Sequence, residues 1–165
     1  MSYGDNIPEA TKGDYSIVKH GVNISLMDGS ISWMDNSIWE TGTHDEYKSK
    51  LKGDVLIAGL GLGYDVWLAE NEPLVTSAVV VEYEQDIIDL VWPYMDIIKT
   101  TLVHDKVLNY MQTTDKKFDF IWFDIFECSY WMKPIDTQTL ANAATPLLNY
   151  GGEILFWSYG REPVL

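Results

Sequence analysis

The stretch that decides the fold is Asp54-Val-Leu-Ile-Ala-Gly-Leu-Gly-Leu-Gly63, in which a short apolar run passes into alternating glycines. The apolar run at residues 55–58 predicts a buried strand, and the pattern at residues 64–70 predicts a helix directly after it. Glycines at a strand-to-helix turn let the backbone turn tightly and approach a ligand closely. The loop is therefore a candidate nucleotide-binding turn, and the alternative is a turn that binds nothing.

Strands and helices alternate from this loop to the end of the chain. Further strands are predicted at residues 78–81, 101–103, 118–123 and 153–158. Helices are predicted at residues 86–98 with a kink at Pro93, at residues 106–112, and at residues 137–149, stopped by Gly151-Gly152. This alternation predicts an α/β fold, a Rossmann-like parallel sheet of about five strands with helices on both faces. A ligand is expected at the carboxyl ends of the strands.

A leader at residues 1–53 precedes this core, which occupies residues 54–165 of the same domain. In the leader, residues 22–26 and 31–34 have extended character on either side of an Asp-Gly turn, so an N-terminal β-hairpin is predicted. We expect the leader to lie on the substrate side of the core.

A short helix is predicted at the end of the leader, over residues 43–51. Thr43, followed three residues later by Glu46, is typical of a helix start. His44 is expected to be an exposed histidine in the first turn of that helix, with contact to a substrate as the alternative.

Length and charge narrow the classes of function. The chain has 165 residues, which fits one globular domain, and 25 Asp and Glu against 11 Lys and Arg give a net charge of -14. No basic run is long enough to follow a phosphate backbone, so we expect no nucleic-acid partner. The acidic charge favours a cationic small molecule or a basic protein surface as partner, or serves solubility alone.

Cysteine and histidine usage excludes other classes. Cys128 is the only cysteine, so neither an intramolecular disulfide nor a cysteine-rich metal site is expected. His20, His44 and His104 lack metal-ligand spacing, and we predict no metal. With no secretion signal at the N-terminus and no long apolar run, a cytoplasmic protein without a membrane partner is predicted.

Three acidic residues stand at the ends of predicted strands. Glu82 ends the second strand, where a carboxylate can accept hydrogen bonds from both hydroxyls of a ribose. Asp105 ends the third, and Asp124 ends the fourth after a run of apolar and aromatic residues, an awkward place for a charge unless it faces a cleft. Each alone could cap a helix, but together beside one glycine loop they predict a functional site. Nicotinamide-dependent chemistry is disfavoured, because Tyr64 replaces the last glycine of the dinucleotide fingerprint.

These motifs together resemble those of class I S-adenosylmethionine-dependent transferases. The resemblance rests on the glycine loop, on Val81-Glu-Tyr-Glu84, on His104-Asp105 and on Phe118-Asp-Phe-Ile-Trp-Phe-Asp124. It implies that the glycine loop lies against the methionine portion of the cofactor, that Glu82 holds the ribose hydroxyls and that Asp105 accepts from the adenine amino group. The full cofactor set that we take from it comprises Gly59, Gly61, Gly63, Glu82, Tyr83, Asp105, Lys106 and Asp124.

The leader resembles the corresponding part of spermidine synthases more loosely, through Leu26-Met-Asp-Gly-Ser-Ile31 and His44-Asp-Glu-Tyr47. This likeness implies that Asp124 faces an amine acceptor and that Glu127 is a second acid near it. Ser32 stands close to the position where that family usually has glutamine. This serine departs from the sequence pattern of the aminopropyltransferases.

The predicted function is transfer from S-adenosylmethionine to a small, cationic amine acceptor, with methyl transfer favoured. Aminopropyl transfer from decarboxylated S-adenosylmethionine is the alternative, and a non-catalytic or cofactor-degrading binder is an alternative of a different class. A neutral amine is the attacking species, so a base must take its proton. Asp124, Glu127 and Tyr130 are the candidate catalytic residues.

Two expectations concern the last third of the chain. Trp122 and Phe123 are predicted to be core residues, whereas the aromatic residues Phe126, Tyr130 and Trp131 form either a lid over the site or ordinary packing. The antiparallel strand pair usual in class I methyltransferases is missing after the fifth strand. That strand would be an exposed edge, so we predict that a homo-oligomer contact or the leader covers it.

Overall fold

The computed structural model describes residues 3–45, 47–125 and 137–157, which form two β-sheets and five α-helices. The strands are β1 (Ala10–Lys12), β2 (Tyr15–His20), β3 (Asn23–Asp28), β4 (Ile31–Asp35), β5 (Gly53–Ala58), β6 (Val75–Glu82), β7 (Thr100–His104), β8 (Phe118–Phe123) and β9 (Leu148–Phe156). The helices are α1 (Ile38–Asp45), α2 (Tyr64–Asn71), α3 (Gln85–Val91), α4 (Val107–Thr113) and α5 (Thr137–Ala144). None of these helices is long and apolar enough to cross a membrane.

The larger sheet has five strands in the order β7-β6-β5-β8-β9, and every neighbouring pair is parallel. The predicted Rossmann-like α/β fold is therefore confirmed. Ala58 at the end of β5 pairs with Val81 of β6 and with Phe123 of β8. The strand order reverses at β5, and ligands of open α/β sheets bind at the carboxyl ends of the strands beside such a reversal.

Alternate residues of the central strands face two apolar layers, because successive side chains of a strand point to opposite sides of a sheet. Val55 and Ile57 lie in a layer with residues of α2, α3 and the N-terminal sheet, while Leu56 and Ala58 lie in a layer with residues of α4 and α5. All four are fully buried. Helices thus cover both faces, and Trp122 and Phe123 are buried core residues, as predicted.

The N-terminal segment is a four-stranded antiparallel sheet in the order β1-β2-β3-β4. The predicted hairpin corresponds to β3 and β4 and is confirmed, but β1 and β2 were not predicted. Ile17, Ile24 and Leu26 of this sheet are buried in the same apolar cluster as Val55 of the central sheet. The leader and the core therefore share one hydrophobic core.

The predicted helix over residues 43–51 is wrong in position. Helix α1 begins at Ile38 and ends at Asp45, and a separate 3-10 turn follows at Lys48–Lys50. The start lies at Ser37, whose hydroxyl oxygen accepts from the backbone N–H of Glu40 at 3.4 Å, the Ser-x-x-Glu pattern of a helix start.

Two predicted helices are too long, and proline explains both errors. Helix α3 ends at Val91 and a 3-10 turn with Pro93 follows it, so the proline ends the helix rather than kinking it. Helix α5 ends at Ala144, before a 3-10 turn that contains Pro146. The glycine pair at residues 151–152 does not stop a helix, because it lies inside β9 where the register with β8 shifts.

Strand β9 lies at the edge of the sheet and, among the described residues, pairs only with β8. The leader reaches this strand through the ion pair between Lys50 and Glu153 at 3.1 Å. It also reaches the residue after the strand, where Trp157 Nε1 donates to Thr43 Oγ1 at 3.0 Å. No antiparallel pair follows β9 within the described part of the chain. These contacts fit the predicted packing of the leader near the edge, while the homo-oligomer stays a prediction.

Candidate functional site

The candidate site lies where β5, β6 and β8 end together. The backbone N–H of Gly59 donates to the carbonyl of Val81 at 2.9 Å, and that of Asp124 donates to the carbonyl of Ala58 at 2.9 Å. These bonds extend the sheet pairing one residue past β5 and β8. The glycine loop and two of the predicted acidic residues, Glu82 and Asp124, therefore meet at one edge, as the sequence predicted.

Glu82 ends β6 as a buried carboxylate, 8% exposed, that is fixed by backbone donors. One oxygen accepts from Leu60 of the glycine loop at 2.9 Å, and the other accepts from Tyr83 and Glu84 at 2.7 Å each. A carboxylate oxygen has two lone pairs, so acceptor capacity remains for a ligand hydroxyl. Because three backbone donors hold it, the group is oriented before any ligand arrives.

Asp105, Tyr83 and Lys106 lie together at the neighbouring strand end. The backbone N–H of Asp105 donates to the carbonyl of Glu82 at 3.0 Å, which ties the end of β7 to the end of β6. Lys106 Nζ lies 4.8 Å from the centre of the Tyr83 ring, a cation–π contact. The structure thus brings these three predicted cofactor residues beside Glu82, and their roles stay predictions.

Gly59 has a conformation and surroundings that only glycine satisfies. Its φ of +99° is in the left-handed region, and a Cβ at this position would overlap the backbone carbonyl oxygen of Asp124. The close approach of the two backbones sets the distance between the glycine loop and Asp124. Gly59 therefore serves the geometry of the site whether or not a ligand is bound.

We expect Gly59→Ala to destabilise the fold by more than the roughly 1–3 kcal/mol of an unfavourable φ, because backbone atoms must also move apart. Urea unfolding measures the loss. Gly151→Ala is the matched control, since Gly151 has a φ of +78° with no atom within 4 Å of the added Cβ. Equal losses in the two variants would contradict the assigned overlap with Asp124.

A polar cluster stands next to the glycine loop and consists of the buried His44 and Asp65 and the partly buried Asp124. His44 is 1% exposed and Asp65 is 5% exposed, and His44 Nδ1 lies 2.7 Å from an Asp65 carboxylate oxygen. One polar atom from each of the three side chains lies within 4.8 Å of the others. Three elements from distant parts of the sequence, α1, α2 and the end of β8, supply these groups.

Aromatic rings hold His44 in place. The imidazole stacks on Trp122 with ring centres 5.7 Å apart and on Trp157 at 5.5 Å, and Tyr64 meets it edge-on at 5.8 Å. The predicted exposed histidine at a helix start is therefore wrong. His44 lies in the last turn of α1, and packing of that helix against β8 buries it.

The cluster shifts two pKa values strongly. Burial lowers the pKa of His44, but the carboxylate of Asp65 more than offsets this and raises it to about 9. Burial, together with the negative charge of Asp65, raises the pKa of Asp124 to about 7, against a lowering by His44. His44 is thus a cation at neutral pH, and Asp124 exchanges a proton near pH 7.

Two further groups border the cluster. The Tyr3 hydroxyl is inaccessible to solvent and has no hydrogen-bond partner, and burial followed by the charge of Asp65 raises its pKa. Burial also raises the pKa of Glu40, one helical turn before His44 on α1. The surroundings of Asp124 therefore contain two more groups that favour a neutral form.

The three polar atoms of the cluster are close enough together to surround a metal ion. His44 Nδ1 is engaged by the Asp65 carboxylate at 2.7 Å. The prediction of no metal stays untested.

Two predicted catalytic residues, Glu127 and Tyr130, lie outside the described residues, as do the lid candidates Phe126 and Trp131. The sequence analysis missed Asp65 and Tyr3. Asp65 lies two residues after the glycine loop, in the first turn of α2, where an acidic residue is ordinary, so no local signal marked it.

Solved structures with the same fold include proteins named as methyltransferases and one named as a decarboxylase. The rRNA methylase from Streptococcus thermophilus matches with 17% identity and a TM-score of 0.54 over 70% of this chain and 67% of that chain. The O-methyltransferase TomG from Streptomyces achromogenes, solved with S-adenosylmethionine, matches with 17% identity and a TM-score of 0.55 over 70% of this chain and 53% of that chain. The precorrin 8w decarboxylase from Methanobacterium thermoautotrophicum matches with 14% identity and a TM-score of 0.54 over 73% of this chain and 62% of that chain.

At these identities the comparisons show a shared class I methyltransferase fold. The chain spans about half to two thirds of the length of these three structures. No protein-family model and no curated protein matches the sequence. Because an rRNA methylase is among the structural neighbours, the comparisons do not support the prediction that nucleic acid is excluded as a partner.

Proposed function

We propose that the protein transfers a methyl group from S-adenosylmethionine to a small, cationic amine, with Asp124 as the base that takes the proton of the amine. The observation that carries this proposal is the partly buried Asp124 carboxyl beside the glycine loop, with a pKa raised to about 7. A base with a pKa near the working pH is best suited to proton transfer.

The residues at the strand ends fit S-adenosylmethionine. Glu82 offers a buried, pre-oriented acceptor for ribose hydroxyls, and Asp105 offers a second carboxyl one strand further along the edge. The resemblance to class I transferases places Gly59, Gly61 and Gly63 next to the methionine portion of the cofactor. When bound, the cofactor supplies a methyl group on a positively charged sulfur, which is open to direct displacement by a nucleophile.

The chain's own residues then have two tasks. The first is to align the acceptor nitrogen with the methyl carbon, a major source of rate enhancement in a direct displacement. Asp124 accepts the proton that the acceptor nitrogen must lose, and the ion pair of Asp65 and His44 behind it sets how strongly Asp124 holds that proton.

An amine is the acceptor class that the charges favour. His44 is the only cation in the cluster, and Asp65 neutralises it at 2.7 Å. Asp124 and Glu40 add negative charge when they are deprotonated and none when they are protonated. The surroundings therefore attract an ammonium group and disfavour an anion. The net charge of -14 acts in the same direction.

Aminopropyl transfer from decarboxylated S-adenosylmethionine is the second candidate. The position of the leader supports it. The segment around His44 resembles spermidine synthases, and α1 brings His44 into the cluster next to Asp124. The two candidates differ in the donor and share the acceptor class.

The proposal is tested by incubating the protein with methyl-labelled S-adenosylmethionine and, separately, small primary and secondary amines, phenols and total RNA. A parallel arm uses decarboxylated S-adenosylmethionine and detects aminopropylated amines. We expect label on amines and none on RNA or phenols. Product only in the decarboxylated arm favours the second candidate, and label on RNA alone contradicts the proposal. Donor binding without transfer to any acceptor would leave a non-catalytic binder.

A further inference from the structure

Met34 of the N-terminal sheet lies directly on the glycine loop. Its thioether sulfur accepts a hydrogen bond from the backbone N–H of Leu62 at 3.1 Å. A Cβ at Gly61 would overlap the same sulfur, so the side chain rests on the face that this glycine leaves open. A methionine side chain of the protein therefore occupies part of the surface next to which the methionine portion of the cofactor is expected.

The backbone of Met34 is held firmly while its side chain is adaptable. Met34 pairs with Leu26 in the antiparallel sheet, and Leu26 is fully buried in the core. A methionine side chain has three rotatable bonds and fits irregular spaces, so the thioether can leave the loop without movement of β4.

The contact that holds the thioether is replaceable. Sulfur is a weak hydrogen-bond acceptor, and a backbone N–H forms a stronger bond with an oxygen atom. The backbone N–H of Leu60 already donates to the Glu82 carboxylate, and the backbone N–H of Gly63 donates to the carbonyl of Leu60. The N–H of Leu62 is thus a loop donor whose partner a polar ligand can displace.

We propose that Met34 is a residue that sets the affinity for the donor, because its side chain competes with the methionine portion of S-adenosylmethionine for the face of the glycine loop at Gly61 and Leu62. This inference rests on the proposed function for the identity of the ligand. The N-terminal sheet then contributes to donor binding as well as to the core.

Calorimetric titration with S-adenosylhomocysteine tests the proposal on the intact protein. We expect Met34→Ala to bind S-adenosylhomocysteine roughly three- to ten-fold more tightly than wild type. This gain corresponds to the free energy of one weak hydrogen bond, which the ligand no longer has to displace. Met34→Leu keeps the bulk and loses the sulfur, so an intermediate gain is expected. Met111→Leu is the matched control, since Met111 is buried on α4 in the other apolar layer, and its affinity should be unchanged.

A second measurement reports the displacement itself. In protein labelled at the methionine methyl carbons, we expect the NMR signal of Met34, assigned with Met34→Leu, to shift on addition of S-adenosylhomocysteine while that of Met111 stays in place. Binding that is equal or weaker in Met34→Ala, or a Met34 signal that does not move while the ligand binds, overturns the inference. If neither wild type nor any variant binds, the proposed function itself fails.

Discussion

Replacement of Asp124 by asparagine is expected to lower kcat/KM for the amine acceptor by roughly 10²–10⁴-fold, the usual contribution of a positioned base. Asparagine keeps the size and polarity of the side chain but cannot take a proton. Binding of S-adenosylhomocysteine should change much less, because asparagine keeps the polar contacts of the side chain and the other residues of the predicted cofactor set are unaltered. The loss should therefore appear in kcat rather than in donor affinity.

The pH profile separates a base from a residue that only shapes the site. Asp124 acts when it is deprotonated, so with its pKa raised to about 7, kcat/KM should rise with pH through that value. The charged and titratable groups that act on it are Asp65, His44 and Glu40. In Asp124→Asn the inflection near pH 7 should disappear, leaving the titration of the acceptor amine.

Asp115→Asn is the control for this experiment, since Asp115 is exposed in the turn before β8. Its activity and pH profile should equal those of wild type. Full turnover in Asp124→Asn with an unchanged profile would remove Asp124 as the base and would redirect attention to Glu127 and Tyr130.

Replacement of Asp65 by asparagine is expected to lower the free energy of unfolding by about 3–5 kcal/mol at pH 7, because it leaves the imidazolium of His44 buried without its partner. Urea unfolding measures the change. The surface pair of Lys12 and Asp89, at 3.0 Å, has the same kind of contact without burial, so Asp89→Asn should change stability little. Equal stability of Asp65→Asn and wild type would contradict a buried ion pair.

The same pair gives stability a specific pH dependence. The pKa of His44 rises from 6.5 to about 9 on folding, so the folded state binds a proton in this interval that the unfolded state has released. The contribution of His44 is therefore complete below pH 6.5 and is lost as pH rises towards 9, a change of the order of 3 kcal/mol. In Asp65→Asn this decline should shrink, since the partner that raises the pKa is gone.

The central sheet could be predicted because each parallel strand carries its own signal. Strands buried on both faces are continuous apolar runs, as in Val55–Ala58 and Phe120–Phe123, and the glycine loop marks the point where the first strand turns into a helix. The carboxyl ends of parallel strands meet at one edge, so Glu82 and Asp124 could be placed together from their positions in the sequence alone.

The N-terminal sheet was only half predicted, because its outer strands have a weak pattern. Tyr15–His20 has one fully buried residue, Ile17, and its neighbour β1 has three residues and none that is buried. Their pairing depends on β3 and on packing against α3. The start of α1 is marked in the sequence by Ser37 and Glu40, which form the same helix-start pattern as Thr43 and Glu46.

The polar cluster could not be predicted, because tertiary packing assembles it. His44 and Asp65 are 21 positions apart, and Asp124 lies a further 59 residues along the chain (124 − 65), each with an ordinary local role as a helix or strand-end residue. Tertiary packing, in which His44 of α1 stacks on Trp122 of β8, brings them together. A histidine of unremarkable sequence context thereby becomes a buried cation next to the proposed base.

The central claim, that the strand ends bind S-adenosylmethionine, is tested most directly by calorimetric titration of wild type and Glu82→Gln with S-adenosylmethionine and with NAD. We predict binding of S-adenosylmethionine and none of NAD, with a loss of at least about ten-fold in Glu82→Gln, since hydrogen bonds to a charged carboxylate are strong. Glu72→Gln, at the end of α2, is the control and should bind as wild type. Absence of S-adenosylmethionine binding, or equal affinity in Glu82→Gln with an intact fold, would contradict the account.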